Sequence, residues 1–535
     1  MFDFKGFIAS VLGRGDHGAV NNLKTATQFM LELDADDYVR AQTEVTRALA
    51  DLNHNSNISI KERLRTVLYL DEKAQVLQVR LRSEWLEHIE SNPAIGRQLQ
   101  PTLLAYWQQQ QLAFKSCIRG YAKNPSRSLD DGIKLVVARA MFAYTNEAMS
   151  ALIRYVPIEG RIWRNLHRLF VFAEKQKFLE DSIQLYPDGK PPASCMHLYL
   201  RLAMLHVSQP ERLQVSQLLR LELWLSGAVS TLTMEKKIRP HRQAYVVNVG
   251  TETAPRRLRR TMIGDGYRYW ATDSLIEYMQ EQLGRLMDGV NPVQLGFGEG
   301  IRTNDCMVLL SDLLQRWSRE ADPMLRKHER SLTKKNVTVA QGINDVIQHL
   351  RVGLPKTSGG AVIDYQLNGP VTSSGQKAAD DAALFESNLE EWLLENESFS
   401  GVGASFSPTH FNELRVGTLV GLRSGADTRS AVGVVRRIQN SPEGTGHVGI
   451  ETLSQKPLIV EIKEQDSNEK WDAIYLPEIK EVNQPRYLIV AANHYTSGKV
   501  LRLAAQGKAY LIRLLPAMEE NRDFVRTNFE VIGKG

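Results

Sequence analysis

Apolar residues recur every three to four positions through the first half of the chain, which is the period of an amphipathic helix. The segment 161–179 is the clearest case, because its apolar residues fall on one face and its arginines largely on the other. The apolar face consists of Ile162, Leu166, Leu169, Phe170 and Ala173. Similar patterns predict helices over 59–91, 94–122, 129–155 and 209–232. Residues 1–235 are therefore predicted to form a helical bundle or solenoid.

Residues 236–325 show both helical and strand patterns and are predicted to form a mixed α/β connecting region. The segment AYVVNVG at 244–250 is typical of a strand. One helix is predicted from Ser274 and another over 303–320. Ser274 is followed three residues later by Glu277, as Ser128 is by Asp131, and this spacing is typical of a capped helix start.

A stretch rich in glycine, proline and serine at 352–383 is predicted to be a flexible insertion. From about residue 390 onward, short apolar segments alternate with turn residues. Strands are predicted at 416–423, 431–439, 447–453, 457–463, 486–492, 499–504 and 508–515. Many short strands at such regular spacing predict one or two small barrels or sandwiches.

Composition narrows the class of protein. Hydrophobic residues make up 43% and charged residues 24%, as in ordinary soluble globular proteins. The net charge of +5 is small for 535 residues and argues against a general nucleic-acid coat. The three cysteines are far apart, which disfavours a disulfide framework or a zinc site. No run of 18 apolar residues occurs, so we expect a cytoplasmic protein with no transmembrane segment.

The sequence also lacks the common catalytic motifs. There is no HExxH, no GxxxxGK[ST] phosphate loop and no GxSxG nucleophile elbow. Cys195 and His197 would diverge by about 200° on a helix, so packing is expected of them rather than metal binding. We therefore predict that the chain is not an enzyme and carries no cofactor or metal.

The most informative motif lies in the last third of the chain, where Asn396, Ser398 and Gly401 fit the pattern [D/N]xSxxG. On an extended segment the asparagine and the serine project to one face, because strands repeat every two residues. They offer donors and acceptors suited to a purine edge or a phosphate. A glycine three residues beyond the serine lets a ligand approach the backbone closely.

Upstream, Arg326 and Arg330 fit RxxxR. Two such guanidinium groups can close around an anion or stack on bases. The pattern is less specific than [D/N]xSxxG, since it recurs at Arg164/Arg168 and in the basic cluster at 256–260.

Three segments together resemble the PilZ domain, a bacterial six-stranded β-barrel receptor for cyclic di-GMP. They are RKHER at 326–330, NESFSGVG at 396–403 and the hairpin AVGVVRRIQNSPEGTGHVGIETL at 431–453. The whole layout resembles larger PilZ-containing bacterial proteins with a helical N-terminal region. The expected fold class is therefore multidomain α + β. Its expected parts are a helical domain (1–235), the connecting region (236–325), a PilZ-like β-barrel (326–456) and a further β-rich module (457–535).

The resemblance also implies a ligand and a set of residues that bind it. In the family, the two arginines hold guanines and phosphates, a role that would fall to Arg326 and Arg330. Asn396 and Ser398 match the pair that contacts bases and phosphates, and Gly401 matches the required glycine. The ligand implied is cyclic di-GMP, and the role implied is in surface attachment, motility or type IV pili, acting through a protein partner.

Two alternatives stay open at this stage. The 66-residue gap between Arg330 and Asn396 is longer than usual in the family, so Arg256 and Arg260 are the reserve arginine pair. The barrel could also keep the fold without the ligand, leaving a helical scaffold or adaptor. A nucleic-acid binder using the cluster at 256–260 is disfavoured by the small net charge, and no nucleic-acid partner is expected.

Overall fold

A computed structural model describes residues 20–34, 36–259, 262–320, 331–352, 389–407, 414–425, 430–441, 444–464, 469–479, 485–505 and 508–534. Most of the predicted insertion at 352–383 lies outside these residues. By contacts the chain divides into two compact units. One comprises 1–210 and 215–324, and the other comprises 211–214 and 325–535.

The first unit is mainly helical. Its helices are α1 (Leu23–Glu32), α2 (Tyr38–His54), α3 (Ile60–Ser91), α4 (Pro93–Lys123), α5 (Asp130–Leu152), α6 (Gly160–Lys175), α7 (Cys195–Val207) and α8 (Val215–Ala228). Helix α6 shows why the pattern is predictive, since every residue of its expected apolar face is buried. None of the helices in the described part of the chain is long and apolar enough to cross a membrane.

Both predicted helix starts need correction. Helix α5 begins at Asp130 with no side-chain cap, because a 3-10 turn at Arg127–Leu129 already places Ser128 inside helical backbone. The Ser128 hydroxyl instead lies 3.0 Å from that of Ser126. The helix predicted from Ser274 begins one residue earlier. The Thr272 hydroxyl there donates to the Trp317 carbonyl at 2.8 Å rather than capping the helix.

The rest of this unit contains both strands and helices. A small antiparallel sheet has the order β2-β1-β3 and contains β1 (Tyr245–Asn248), β2 (Arg256–Arg257) and β3 (Tyr267–Trp270). Two helices follow it, α9 (Asp273–Met287) and α10 (Thr303–Trp317).

The second unit contains two closed barrels. The first has the strand order β4-β5-β6-β9-β8-β7 and the second β10-β11-β12-β15-β14-β13. The first comprises β4 (Ser331–Gln341), β5 (Glu390–Ser398), β6 (Gly401–Phe406), β7 (Leu419–Ser424), β8 (Ala431–Asn440) and β9 (Gly446–Ser454). The second comprises β10 (Leu458–Glu464), β11 (Lys470–Leu476), β12 (Tyr487–Ala491), β13 (Val500–Ala505), β14 (Lys508–Glu520) and β15 (Phe524–Lys534). Counted within each barrel, the six strands follow the same order, so the two barrels share one topology.

Helix α11 (Ile343–Val352) follows β4 and packs between the two barrels. One apolar cluster joins its residues to strands of both. From α11 and the first barrel it contains Ile343, Val346, Ile347, Leu350, Leu419, Val432, Val434 and Leu453, and from the second barrel Ile474, Leu476, Ile489 and Phe524. Polar contacts reinforce it, since Arg436 donates to both carboxylate oxygens of Glu519, at 2.5 and 2.8 Å. The barrels therefore pack on each other through a buried apolar interface with an ion pair beside it.

The predicted fold class, a helical N-terminal region followed by a β-barrel and further strands, is confirmed. The seven predicted strand segments all overlap observed strands. The pattern gave no separate prediction for β11 or β15, and both carry charged residues that interrupt the apolar signal.

Candidate ligand-binding face of the first barrel

The hairpin of β5 and β6 carries the [D/N]xSxxG motif. Ser398 pairs with Gly401 across the turn, and Asn396 pairs with Gly403. These two pairs lie on the same face of the hairpin, because alternate residues of a strand share a face. The structure thus brings Asn396, Ser398 and Gly401 together.

A β-bulge decides which face this is. Trp392 and Leu394 are buried inside the barrel, and strict alternation would send Asn396 inside as well. The register shifts between Leu394, which pairs with Ala404, and Asn396, which pairs with Gly403. The extra residue turns Asn396 to the outer face. The side chains of Asn396 and Ser398 therefore lie on the outside of the barrel.

Ser398 holds the turn of this hairpin. Its hydroxyl donates to the carbonyl of Gly401 at 2.9 Å. Between these two residues the chain exposes Phe399, whose side chain is 48% accessible. The serine therefore has a structural contact within the hairpin, beside any contact with a ligand.

The packing requires glycine at 401, and Gly403 lies against a neighbouring side chain. A Cβ added to Gly401 would lie 2.5 Å from the carbonyl oxygen of Ile450, which belongs to the backbone of β9. A Cβ added to Gly403 would lie 2.7 Å from Nδ2 and 2.8 Å from Oδ1 of Asn396. The Asn396 amide therefore lies directly against the bare backbone of Gly403.

The outer face continues across β9 and β8. Gly403 pairs with Gly449, and Gly449 pairs with Arg437. We call Asn396, Gly403, Gly449 and Arg437 the glycine row. It crosses four neighbouring strands and has no side chain between its two ends.

A charged row borders the glycine row on one side. Gly401 pairs with Glu451 of β9, and the Glu451 carboxylate accepts from Nε of Arg436 at 2.7 Å. Arg436 also binds Glu519 of the second barrel. Burial would lower the pKa of Arg436, but its hydrogen bonds to Glu519 and Glu451 outweigh that effect and raise it. This arginine is therefore held as a cation between two carboxylates.

The predicted arginines Arg326 and Arg330 lie outside the described residues. Strand β4 begins at Ser331, the residue that follows Arg330. Ser331 pairs with Glu397, between Asn396 and Ser398, and its hydroxyl donates to the Glu397 carbonyl at 3.3 Å. The pairing of β4 with β5 therefore places Ser331 beside the [D/N]xSxxG motif, although Arg330 and Asn396 are 66 positions apart in the sequence.

Of the reserve pair, Arg260 also lies outside the described residues, whereas Arg256 lies within them. Arg256 is an exposed residue of β2. Its neighbour Arg257 is used structurally, because it donates to the carbonyl of Ser318 at 2.8 Å and lies over the ring of Tyr245.

Sequence reasoning missed Gly403, Gly449 and Arg437 as members of this face. The signal was present in the alternating glycines of Gly-Val-Gly at 401–403 and in the single glycine of His-Val-Gly-Ile at 447–450. Their place on one row depends on the bulges in β5 and β8, which the sequence does not show.

Comparison with known families places the chain. Residues 24–239 match the family model described as the N-terminal domain of the cyclic-di-GMP receptor FimW. Residues 459–532 match the C-terminal β-barrel domain of FimW. The matched ranges fall on the helical region and on the second barrel, and together they cover more than half of the chain. No curated protein matches the chain at a significant level. The chain therefore belongs to the FimW family of cyclic-di-GMP receptors.

Proposed function

We propose that this chain binds cyclic di-GMP on the outer face of its first barrel and passes that signal to a protein partner. The site comprises Asn396, Ser398 and Gly401 together with Arg326 and Arg330. The chain acts as a receptor in the cytoplasm, without catalytic activity, cofactor or metal. The process it controls is bacterial surface attachment, motility or type IV pilus function.

The observation that carries this proposal is the register of β4 against β5. Ser331 stands opposite Glu397, and Arg330 precedes Ser331 by one peptide unit, about 3.8 Å between Cα atoms. An arginine side chain is long enough to reach the neighbouring positions of the sheet from there. The described start of β4 therefore lies beside the motif strand, which supports assigning the two arginines to the same site.

The chemistry of the residues matches the ligand. Cyclic di-GMP has two guanines and two phosphodiesters. Guanidinium groups bind a phosphate, or guanine O6 and N7, through two parallel hydrogen bonds. The Asn396 amide donates and accepts at the base edge, and the Ser398 hydroxyl does so beside it. Gly401 leaves the backbone bare where the ligand would lie.

In the proposed domain layout, the receptor barrel is linked in sequence to a domain on each side that could change with it. The helical domain (1–235) and connecting region (236–325) precede the receptor barrel (326–456), and the second barrel (457–535) follows it. Binding would join the arginine segment to β5 through the ligand, and that change would alter the surface offered to a partner. Such a switch requires that the ligand bind one arrangement more tightly than the other.

Titration calorimetry of the full chain with cyclic di-GMP tests the proposal, with GTP and cyclic AMP as controls. Binding at micromolar or lower concentration, specific to cyclic di-GMP, is the expected result. Arg330→Ala should then weaken binding about 10- to 100-fold, the value of one good bidentate contact. Unchanged affinity in that variant would move the assignment to Arg256 and Arg260.

A second function is favoured by the contacts inside the hairpin. Ser398 donates to Gly401, and Asn396 lies against Gly403, so both motif residues also have structural partners. A scaffold or adaptor with a non-binding barrel would use them in this way alone. The absence of any binding heat at high ligand concentration would support that function instead.

A further inference from the structure

We propose that the ligand site extends across the glycine row, with one guanine lying over Gly449 and Arg437 holding its far edge. This inference rests on the proposed function and deepens it, since it names the residues that select the base. It adds β9 and β8 to a site that the sequence motifs confine to β5, β6 and the arginine segment.

The glycines on this face differ in the space that is available around their Cα atoms. An added Cβ would meet the backbone of Ile450 at Gly401 and the side-chain amide of Asn396 at Gly403. Gly449 has room, because the nearest atom to an added Cβ would be Cβ of Arg437 at 3.5 Å, an ordinary contact. The fold therefore does not need glycine at 449, although glycine weakens a strand interior. A ligand that approaches the backbone closely is a physical reason for having it there.

Gly449 lies on β9, which has β6 on one side and β8 on the other. Neighbouring strands lie about 4.8 Å apart, so about 10 Å separates β6 from β8. The Asn396 amide covers Gly403 from one side. Gly449 remains partly exposed between that amide and Arg437. A planar purine can lie flat on this bare stretch of backbone.

Arg436 and Arg437, which are adjacent in β8, differ in how tightly their side chains are held. A bulge between Val435 and Arg437 places both Arg436 and Arg437 outside the barrel. Arg436 is fixed by Glu451 and Glu519.

Arg437 is held only loosely by comparison. Its side chain is 55% exposed and donates to Gln439 at 3.0 Å. Its Nε lies 4.0 Å from Glu211, at the limit of an ion pair and within the same compact unit. It can therefore turn toward a ligand at little cost.

Arg437 is the residue of the row that would select guanine. Arginine donates twice to the O6 and N7 acceptors of guanine, whereas adenine offers a donor in place of O6. Arg437 should therefore discriminate cyclic di-GMP from cyclic di-AMP.

Two variants test the inference by calorimetry with both cyclic dinucleotides. Gly449→Val places a branched side chain on the floor and should weaken cyclic di-GMP binding at least about 10-fold. Its melting temperature should stay the same or rise, since valine favours strands. Arg437→Ala should weaken cyclic di-GMP about 10- to 100-fold and leave cyclic di-AMP unchanged. Arg502→Ala, an exposed arginine on β13 of the second barrel, is the matched control and should change neither ligand.

The outcomes separate this inference from the proposed function. If the wild-type chain binds no cyclic di-GMP, the proposed function fails and the glycine row fails with it. If the wild type binds and both variants bind equally well, the inference alone is overturned. If Gly449→Val lowers the melting temperature, Arg437→Ala still decides, because the loss of an exposed side chain leaves the barrel intact.

Discussion

At the scale of single residues, bare backbone is what makes the outer face of the first barrel suitable for a ligand. Asn396, Ser398 and Gly401 could be identified from the sequence, because their spacing fits [D/N]xSxxG. The asparagine and serine offer hydrogen-bonding groups, and the glycine leaves the backbone accessible. The orientation of Asn396 could not be predicted, since simple alternation with Trp392 and Leu394 would have buried it. The bulge that turns it outward depends on how β5 pairs with β6.

Gly401 gives the sharpest prediction at this scale. In Gly401→Ala the new Cβ would collide with the backbone carbonyl of Ile450 at 2.5 Å, and no side chain can move to relieve it. We expect a loss of about 1–3 kcal/mol in the free energy of unfolding, as for other overpacked sites. Denaturant unfolding measures this loss. Equal stability in the variant and the wild type would show that β9 moves away freely.

At the scale of secondary structure elements, predictability follows the strength of the apolar pattern. Long amphipathic helices such as α3 and α6 lie close to their predicted bounds, because one face must be buried wherever the helix packs. Strands β11 and β15 were not predicted, since charged and polar residues interrupt their apolar runs. Strand β4 gives way to helix α11 at Gly342, whose positive φ of 80° is a conformation that favours glycine.

Helix α11 contains a buried histidine with a consequence for stability. His349 is 1% exposed, and neither ring nitrogen has a hydrogen-bond partner among the residues that the structure describes. Burial, together with the nearby cation of Arg423, lowers the pKa of His349 from 6.5 to about 4. Between these two values the unfolded chain binds a proton that the folded chain does not, so this stability falls as the pH drops from about 6.5 toward 4.

The variant His349→Leu should remove that dependence. Between pH 7 and pH 5 the wild type should lose about 1–2 kcal/mol more stability than the variant. Denaturant unfolding of both proteins at the two pH values measures this difference in stability. Hydrogen exchange or fluorescence supplies the signal from the barrels. Equal losses in the two proteins would contradict a neutral buried histidine.

At the scale of the whole molecule, the shared topology of the barrels lets one fold present two different outer faces. The face of the second barrel that corresponds to the proposed ligand face is formed by β11, β12 and β15. There Ile474, Ile489 and Phe524 are fully buried against α11 and the first barrel. The corresponding face of the first barrel instead carries Asn396 and glycines. The sequence could not predict this division, because the apolar residues of an interface resemble those of a barrel interior.

The interface predicts that the barrels stabilise each other. Val434→Asp places a charge in the apolar cluster between the barrels. It should speed hydrogen exchange in β8 and also in β12 of the other barrel. Val531→Asp, at a position of β15 that is 46% exposed, is the matched control and should leave β8 unchanged. Faster exchange confined to the first barrel would mean that the two barrels are stable independently.

The central claim is that cyclic di-GMP binds the outer face of the first barrel. Hydrogen exchange of the full chain, with and without saturating ligand, tests it most directly. We predict slower exchange at 326–332, in β5 and β6 and in β9, with β10 to β15 unchanged. Protection at 256–260 or in the second barrel, with none in β5 and β6, would contradict the account.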